Sequence, residues 1–447
     1  MVLQYKPYTE YIDSGIDWFG SVPKSWTLTR LKFEATVNMG QSPSSEDCNQ
    51  DGIGLPFLQG NAEFGLINPS PKQYCETPRK IAHTGQLLFS VRAPVGALNV
   101  ADQIYGIGRG LCAIEGARDL LNSFLWWLIP IIRSELDAVS TGSTFEAVSA
   151  EQVENVSFYN PSLSEQFNIS RFLDHEIAKI DTLIVKQQQL ILLLKEKRQA
   201  VINHAVTKGS NPNAKMRDSG VDWLGKIPVD WDVVSLKHLV SAPIIDGPHT
   251  SPTRQEDGIP FISAEAISAG FINFEKKWGY ISKEDHQLYS KRYAPQRGDI
   301  LMVKLGATTG TVAMVETDEA FNIWVPLATI RTRADIPSKF IFYLLQSSSV
   351  RDAIQLSWTF GTQQTLGLGT IANLRTPLPP REECEKIIKL IEKKNPIFDQ
   401  LINKSEHSLL LLKERRAALI SAAVTGKIDV RNWVAPEETQ SNKEVAA

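Results

Sequence analysis

One stretch of this chain is written twice, and that repetition constrains the fold more than any other feature. Asp13-Ser14-Gly15-Ile16-Asp17-Trp18-Phe19-Gly20 returns as Asp218-Ser219-Gly220-Val221-Asp222-Trp223-Leu224-Gly225, and Pro23, Trp26, Leu31 and Lys32 return as Pro228, Trp231, Leu236 and Lys237. A duplicated sequence implies a duplicated structure, here with a pseudo-two-fold relation between halves. Each half also carries a marker at its far end: Leu192 to Arg198 repeats as Leu410 to Arg416, and Ala205-Val206-Thr207 as Ala423-Val424-Thr425. Between the markers the halves diverge over a common skeleton. Pro56-Phe57-Leu58 matches Pro260-Phe261-Ile262, and Gly65-Leu66-Ile67-Asn68 matches Gly270-Phe271-Ile272-Asn273.

The divergent parts, roughly 26–150 and 231–370, hold short β-branched and aromatic runs broken by Gly, Pro and Asn, such as Gly85 to Val91 and Gly298 to Val303. Those are strand and turn signals. Each part ends in an apolar helical stretch, Leu120 to Leu136 and Ser338 to Leu356, so the expected class is α+β, with two α/β domains. The repeated far-end blocks have a different rhythm. Leu173, Ile177, Ile180, Ile184, Ile191, Leu194 and Val201 fall on alternating spacings of three and four once Gln187 and Arg198 fill the two polar places, and Ile391, Phe398, Ile402, Leu409, Leu412 and Leu419 stand at the matching positions of the second copy, interrupted by Asn395 and Pro396. That spacing is a heptad seam. A kink is expected at Pro396. Neither helix is stable alone, and each offers its stripe to the other as an antiparallel coiled coil. Each block, about Glu165 to Thr207 and about Glu383 to Thr425, reaches on the order of 60 Å at 1.5 Å per residue.

Composition narrows the partners. The net charge of −3 and pI of about 6.2 give no global sign of nucleic-acid binding, so any such contact rests on local patches. Cys48, Cys75, Cys112 and Cys384 lack metal or disulfide spacing, which fits a reducing cytoplasm. Residues 1–10 lack a signal-peptide core, and the longest apolar run, Leu120 to Ile132, is too short to span a bilayer.

The motif D-S-G-x-D-W-x-G-x-x-P-x-x-W before a variable region, followed by a helical block ending L-x-K-E-[KR]-R, resembles the specificity subunits of Type I restriction-modification systems. Leu88 to Gly96 and Gly106 to Leu111 resemble a common form of the family's first target recognition domain. Gly142-Ser143-Thr144 and Gly361-Thr362-Gln363 resemble its G-[ST] turn, and Pro161 to Gln166 its P-x-x-x-E-Q helix entry. The second copy departs from that pattern with Cys384 in place of Gln, which puts its local cap in doubt.

The resemblance implies a non-catalytic, cytoplasmic subunit that binds a bipartite double-stranded DNA sequence through two target recognition domains. Two methyltransferase subunits would dock on its helical regions and restriction/translocase subunits would join them. S-adenosylmethionine, ATP and Mg would belong to those partners, with no cofactor in this chain. The expected segments are a conserved start (1–25), recognition domain 1 (26–155), a central helical region (156–215), recognition domain 2 (216–375), a C-terminal helical region (376–430) and a polar tail (431–447). Paired rods between two reading heads imply two short half-sites, their centres about one turn of DNA apart.

A search for chemistry agrees with that division. Gly306-Ala307-Thr308-Thr309-Gly310 lacks the lysine of a phosphate-binding loop. Asn160-Pro161-Ser162-Leu163 lacks the second proline and aromatic of an adenine-methyltransferase loop, and Glu275-Lys276-Lys277 lacks the upstream carboxylates of a nuclease. The seven histidines show no ligand spacing, so no metal is expected. Two other readings stay open: the DNA-reading part of another restriction-modification type, and a coiled-coil adaptor that never touches DNA.

Base reading needs Arg, Lys, Asn, Gln, Ser or Thr projecting from loops on a rigid frame, with other basic groups anchoring phosphates. The candidates in the first variable domain are Gln59, Asn61, Lys72, Arg79, Lys80, Arg92 and Arg109. In the second they are His249, Thr250, Arg254, Lys276, Lys277, Lys291, Arg292 and Lys304. Arg92 and Lys304 each follow an apolar strand and precede a Gly-containing loop, and are expected to occupy corresponding positions.

Overall fold

The computed structural model describes residues 5–16, 19–140, 147–268, 270–356 and 365–435. Asp17, Trp18, the two G-[ST] turns and the end of the tail lie outside the described residues. The chain divides into two compact units, one of residues 1–187 and 408–447, the other of residues 188–407. Both are α+β.

The repeated motif turns out to be a hairpin closure. Tyr11–Asp13 pairs with Ser21–Pro23, and Met216–Asp218 with Lys226–Pro228. Asp13 and Asp218 each accept a hydrogen bond from the glycine amide two residues on, at 3.1 and 2.8 Å. Ser14 and Ser219 cap the next turn through Ile16 and Val221. Gly15, Gly20, Gly220 and Gly225 all have φ between 60° and 69°, where a side chain is strained. The residue types of this motif are thus set by backbone geometry.

Next, the entry strand of each variable segment pairs antiparallel with its exit strand: Thr27–Arg30 with Ser157–Asn160, and Asp232–Ser235 with Arg375–Leu378. Each segment is therefore closed at a two-stranded neck. Inside, the first unit has a four-stranded antiparallel sheet in the order Leu98–Val100, Leu87–Ser90, Leu111–Gly116, Ala35–Met39. The second unit has the matching order Val312–Met314, Ile300–Val303, Leu327–Ile330, Ile245–Asp246. A second sheet in each contains one parallel pair, Leu55–Leu58 with Tyr105–Ile107 and Ile259–Ile262 with Asn322–Ile323.

Leu87–Ser90 and Ile300–Val303 are buried along their whole length. Because successive side chains point to opposite faces, such a strand needs a core on each side. Leu87 and Phe89 enter the larger core with Phe124, Leu128 and Phe172, while Leu88 enters a smaller one with Leu58, Tyr105 and Ile107. Ile300 and Met302 likewise face Phe340 and Leu344, and Leu301 and Val303 face Ile262 and Ile323.

The long helices run Leu163–Lys208 and Arg381–Val424. In the first unit Leu173, Ile177, Ile180 and Ile184 pack with Leu412, Leu419, Ile420 and Ala423, and Arg416 pairs with Asp181 at 2.7 Å. In the second, Ile202, Ala205 and Val206 share a core with Ile387 and Ile391, and Arg198 pairs with Asp399 at 2.9 Å. Ile191, Phe398 and Ile402 are buried, and Leu194, Val201 and Leu409 half-buried, so every seam residue faces inward to some degree. The second helix continues through Pro396. The stretch Ser338 to Leu356, expected as one helix, is two: Ser347 adopts extended ψ and its hydroxyl caps the Leu344 carbonyl at 2.6 Å.

Both helices end on a left-handed glycine set against the repeated Pro and Trp. Gly426 has φ +71°, and a Cβ there would lie 2.6 Å from Pro23 Cγ and 3.2 Å from Trp26. Gly209 faces Pro228, Trp231 and Glu383 in the same way. Cys384 is buried and its thiol reaches the Pro379 carbonyl at 3.6 Å, a remnant of the Gln166 cap, which bonds Pro161, Asn160, Asp119 and Leu121.

Gly426→Ala is expected to destabilise the chain by about 1–3 kcal/mol through strain and overpacking. Gly369→Ala, in an exposed helical turn with open space around it, should be neutral or stabilising by up to ~1 kcal/mol. Urea unfolding midpoints of the two variants check this; equal midpoints would contradict the glycine assignment.

Candidate nucleic-acid interface

Gln59, Lys80, Arg92 and Arg109 of the first unit's candidates gather around one backbone crossing, where Tyr105–Ile107 leaves its sheet. Gly108 N donates to Leu58 O at 2.8 Å, Gln41 N to Ile107 O at 2.9 Å, Gly40 N to Leu111 O at 2.9 Å and Val91 N to Gly110 O at 3.0 Å. Three chain segments therefore meet a fourth, residues 107–111, within hydrogen-bond distance. A Cβ on Gly108 would lie 2.6 Å from Gln59 Oε1, one on Gly110 2.6 Å from Gln59 O, and one on Gly40 would strike Gly108 O. Backbone oxygens therefore exclude a side chain at Gly40 and Gly110, whereas at Gly108 the exposed Gln59 side chain would have to move. Gly108 and Gly110 are buried, and Arg109 between them is exposed.

Gln59 borders this knuckle, its amide donating to Ser42 Oγ at 2.9 Å, and the same oxygen lies 3.5 Å from Arg109 N. Lys80 is tied in by its carbonyl, which accepts from Ile107 N at 2.9 Å. Asn61 is half-buried and opens a 3-10 turn. The side chains of Lys72, Arg79, Lys80, Arg92 and Arg109 are exposed, and none makes an ion pair or hydrogen bond with another described residue.

The second unit builds the same crossing from different residues. Trp324 N donates to Ile262 O at 2.9 Å, Lys304 N to Pro326 O at 2.8 Å, and Gly247 stands where Gly40 does, its Cβ position blocked by Ile323 and Trp324. The knuckle here reads Trp324-Val325-Pro326 and carries no charge. The helix Lys283–Ser290 leans on the strand Asn322–Ile323, His286 meeting Asn322 at 2.6 Å, in the place of the strand Ile81–Ala82. Lys291 and Arg292 follow that helix, as Arg79 and Lys80 precede that strand.

Most cations of the second unit are engaged. Asp246 receives Lys304 at 3.0 Å, Arg292 at 2.8 Å and His249 at 3.2 Å. Burial alone would raise the Asp246 carboxyl; the hydrogen bond from Lys304 and the charges of Lys304, His249 and Arg292 outweigh it and hold the group below the usual carboxylate range. Arg254 lies over the Trp278 ring at 5.9 Å, Lys277 over Tyr280 at 4.7 Å, and Thr250 Oγ1 is 3.5 Å from Tyr289 OH. Lys276 and Lys291 are exposed.

Arg92 and Lys304 do not correspond. Strand register aligns Ser90 with Val303, since they face Leu111 and Leu327, and the bridges Arg92↔Ala147 and Leu305↔Thr365 continue it. Lys304 is thus the counterpart of buried Val91, and Arg92 of Leu305. A one-residue offset reverses the face of every side chain, which is why Lys304 points inward at 8% exposure while Arg92 points out. The skeleton match at Gly65 and Gly270 is offset too: the turn closed by Phe64↔Pro69 corresponds to that closed by Ile267↔Ile272. Asp246 belongs to the candidate loop Asp246 to Thr250 of the sequence; the residues that sequence reasoning missed are Ser42 and Gly40, and a glycine directly after a strand is the signal that would have found them.

Two segments of the chain, residues 23–192 and 228–409, match the family model described as Type I restriction modification DNA specificity domain. The chain belongs to that family. It is a Type I specificity subunit, the non-catalytic, DNA-specifying member of its system. Among its relatives, the MjaX specificity subunit of Methanocaldococcus jannaschii is 35% identical over 184 residues, 40% of this chain and 42% of that protein. The EcoBI specificity subunit of Escherichia coli is 24% identical over 442 residues, 94% of this chain and 90% of that one. In fold, the chain resembles a subunit solved in a study of assembly and conformational transition of the type I R-M system, with a TM-score of 0.71 at 19% identity over 91% of this chain and 99% of that one. The HsdS subunit from Thermoanaerobacter tengcongensis gives 0.50 at 17% identity over 91% and 98%. No helix among the described residues of the specificity subunit is long and apolar enough to cross a membrane.

Lys304→Ala should therefore destabilise the second unit, by about 1–3 kcal/mol, by leaving the buried Asp246 short of a partner. Arg92→Ala should leave stability unchanged. The Asp246 contribution is present above its unfolded pKa of about 3.9 and lost as pH falls through its lower folded value. Thermal unfolding of both variants at pH 7 and pH 3.5 tests this, and a Lys304→Ala melt equal to wild type would contradict it.

Proposed function

We propose that each unit reads one half of a bipartite double-stranded DNA target, with the variable segments, about 26–155 and 216–375, as recognition domains 1 and 2. The observation that carries this reading is the repeated backbone crossing: one frame in both units, held by matching hydrogen bonds from Gly108 N and Trp324 N, from Val91 N and Lys304 N, and from Leu111 N and Leu327 N, and displaying Arg109 in one and Trp324-Val325-Pro326 in the other. A constant frame with a variable tip is what two different half-sites require.

The helical regions, about 156–215 and 376–430, would form the antiparallel coiled coil of a pseudo-two-fold subunit and carry two methyltransferase subunits, with restriction/translocase subunits joining later. Leu183, Leu410 and Leu411 of the first unit, and separately Leu192 and Leu193 of the second, are exposed beside the seam, and exposed apolar residues of this kind favour a partner surface. The partners would supply S-adenosylmethionine, ATP and Mg chemistry. The residues that superficially resemble catalytic loops have structural duties: Asn160 and Gln166 bond each other at 2.9 Å, and Glu275 sits in a 3-10 turn capped by Asn273.

Gel-shift assays with genomic fragments, run with and without the co-expressed methyltransferase, test the reading. The complex should retard a subset of fragments, and the chain alone should transfer no methyl group from S-adenosylmethionine. A complex that assembles yet retards no DNA would instead mark the chain as a coiled-coil adaptor, and methyl transfer by the chain alone would mark it as part of a self-contained enzyme.

A further inference from the structure

We propose that Arg109 is a specificity-determining residue of the first unit and that it reads a guanine in the major groove. The inference rests on the reading of this chain as a DNA-binding subunit and adds the residue and the base.

Arg109 differs from the other free cations in how its backbone is held. The residues on either side are buried glycines, and a Cβ on Gly110 would lie 2.6 Å from the Gln59 carbonyl oxygen, while one on Gly108 would displace the Gln59 side chain. Hydrogen bonds fix the knuckle from Leu58, Gln59, Ser42 and Val91, at 2.8, 3.3, 3.5 and 3.0 Å. A tip pinned by three chain segments is held in place, and its central side chain is exposed. Glycine at positions 40 and 110 is what admits the crossing that presents this arginine.

The electrostatics agree. In the second unit Lys304 and Arg292 are tied to Asp246, and Arg254 and Lys277 are stacked on Trp278 and Tyr280, which leaves only Lys276 and Lys291 among its candidate cations exposed without such a partner among the described residues. Arg109 meets no carboxylate and no aromatic ring among the described residues, so its five N–H donors are free for a ligand. A guanidinium on a rigid mount suits bidentate donation to the O6 and N7 acceptors of guanine. Phosphate contact falls more naturally to Arg79 and Lys80, which flank the knuckle on loop backbone. The neutral Val325 tip of the second unit makes the difference between the units one of residue chemistry on an equal frame.

The test is methylome sequencing of cells that carry the chain with its methyltransferase, as wild type, Arg109→Ala, Arg109→Lys and Lys80→Ala. Arg109→Ala should relax one guanine position in one half-site by about five- to a hundred-fold in discrimination and leave the other half unchanged. Arg109→Lys should relax the same position, because it keeps the charge and loses the fork. Lys80→Ala should lower methylation uniformly with the motif intact and reduce the slope of log affinity against log salt by about one unit. Arg109 is exposed, so melting temperatures should match wild type. A motif that Arg109→Ala leaves intact, weakened evenly or not at all, overturns the assignment to a base. A wild-type complex that produces no methylation motif overturns the DNA-reading role itself, and that of Arg109 with it.

Discussion

A strand buried on both faces governs each unit. Leu87–Ser90 and Ile300–Val303 send alternate side chains into two different cores, one against helices and one against a second sheet. Because each core closes on a separate face, the second sheet is anchored at a fixed distance from the helical part of its unit. The backbone crossing that bears Arg109 or Val325 is the rim of that second sheet. Its position follows from apolar burial, not from the polar residues displayed on it, and the displayed residues are free to differ.

The two units solve the same packing problem with opposite electrostatics. Where the first has Val91 and Met39, the second has Lys304 and Asp246, at positions equivalent by strand register. A buried ion pair seldom adds stability over an apolar pair of similar volume, because desolvating both charges offsets their attraction. Its consequence here is positional: Asp246 also draws in Arg292 and His249, so the loop after Gly247 and the end of the helix Lys283–Ser290 are held to one point. The first unit leaves Arg79, Lys80, Arg92 and Arg109 without a carboxylate partner among the described residues and fixes its tip with glycines.

Much of this was legible in the sequence. The duplicated D-S-G-x-D-W-x-G motif, with its left-handed glycines and Asp and Ser caps, announces two equal hairpins, and heptad spacing announces two long helices whose seam residues all turn inward. The strand-to-strand neck of each variable segment gave no such signal, since Thr27–Arg30 and Arg375–Leu378 are short and mixed in character. Arg92 and Lys304 were confused because both follow apolar runs, and only cross-strand hydrogen bonds distinguish position 91 from 92. The Ser347 break is likewise tertiary: on either side of it Gln199 donates to the Gln346 carbonyl at 2.8 Å and Ser349 N donates to Asn203 Oδ1 at 3.2 Å, both partners coming from a distant helix.

The central claim is that each variable segment is a self-contained reader, closed at its neck and independent of the other. Replacing residues 236–374 with residues 31–156 joins equivalent points of the two necks, since Arg30 faces Ser157 as Ser235 faces Arg375. Methylome sequencing of cells carrying this chimera with the methyltransferase measures the outcome. The account predicts a motif whose two halves are both the half-site of the first segment, with the second segment's bases gone. A motif that keeps the original second half would contradict it.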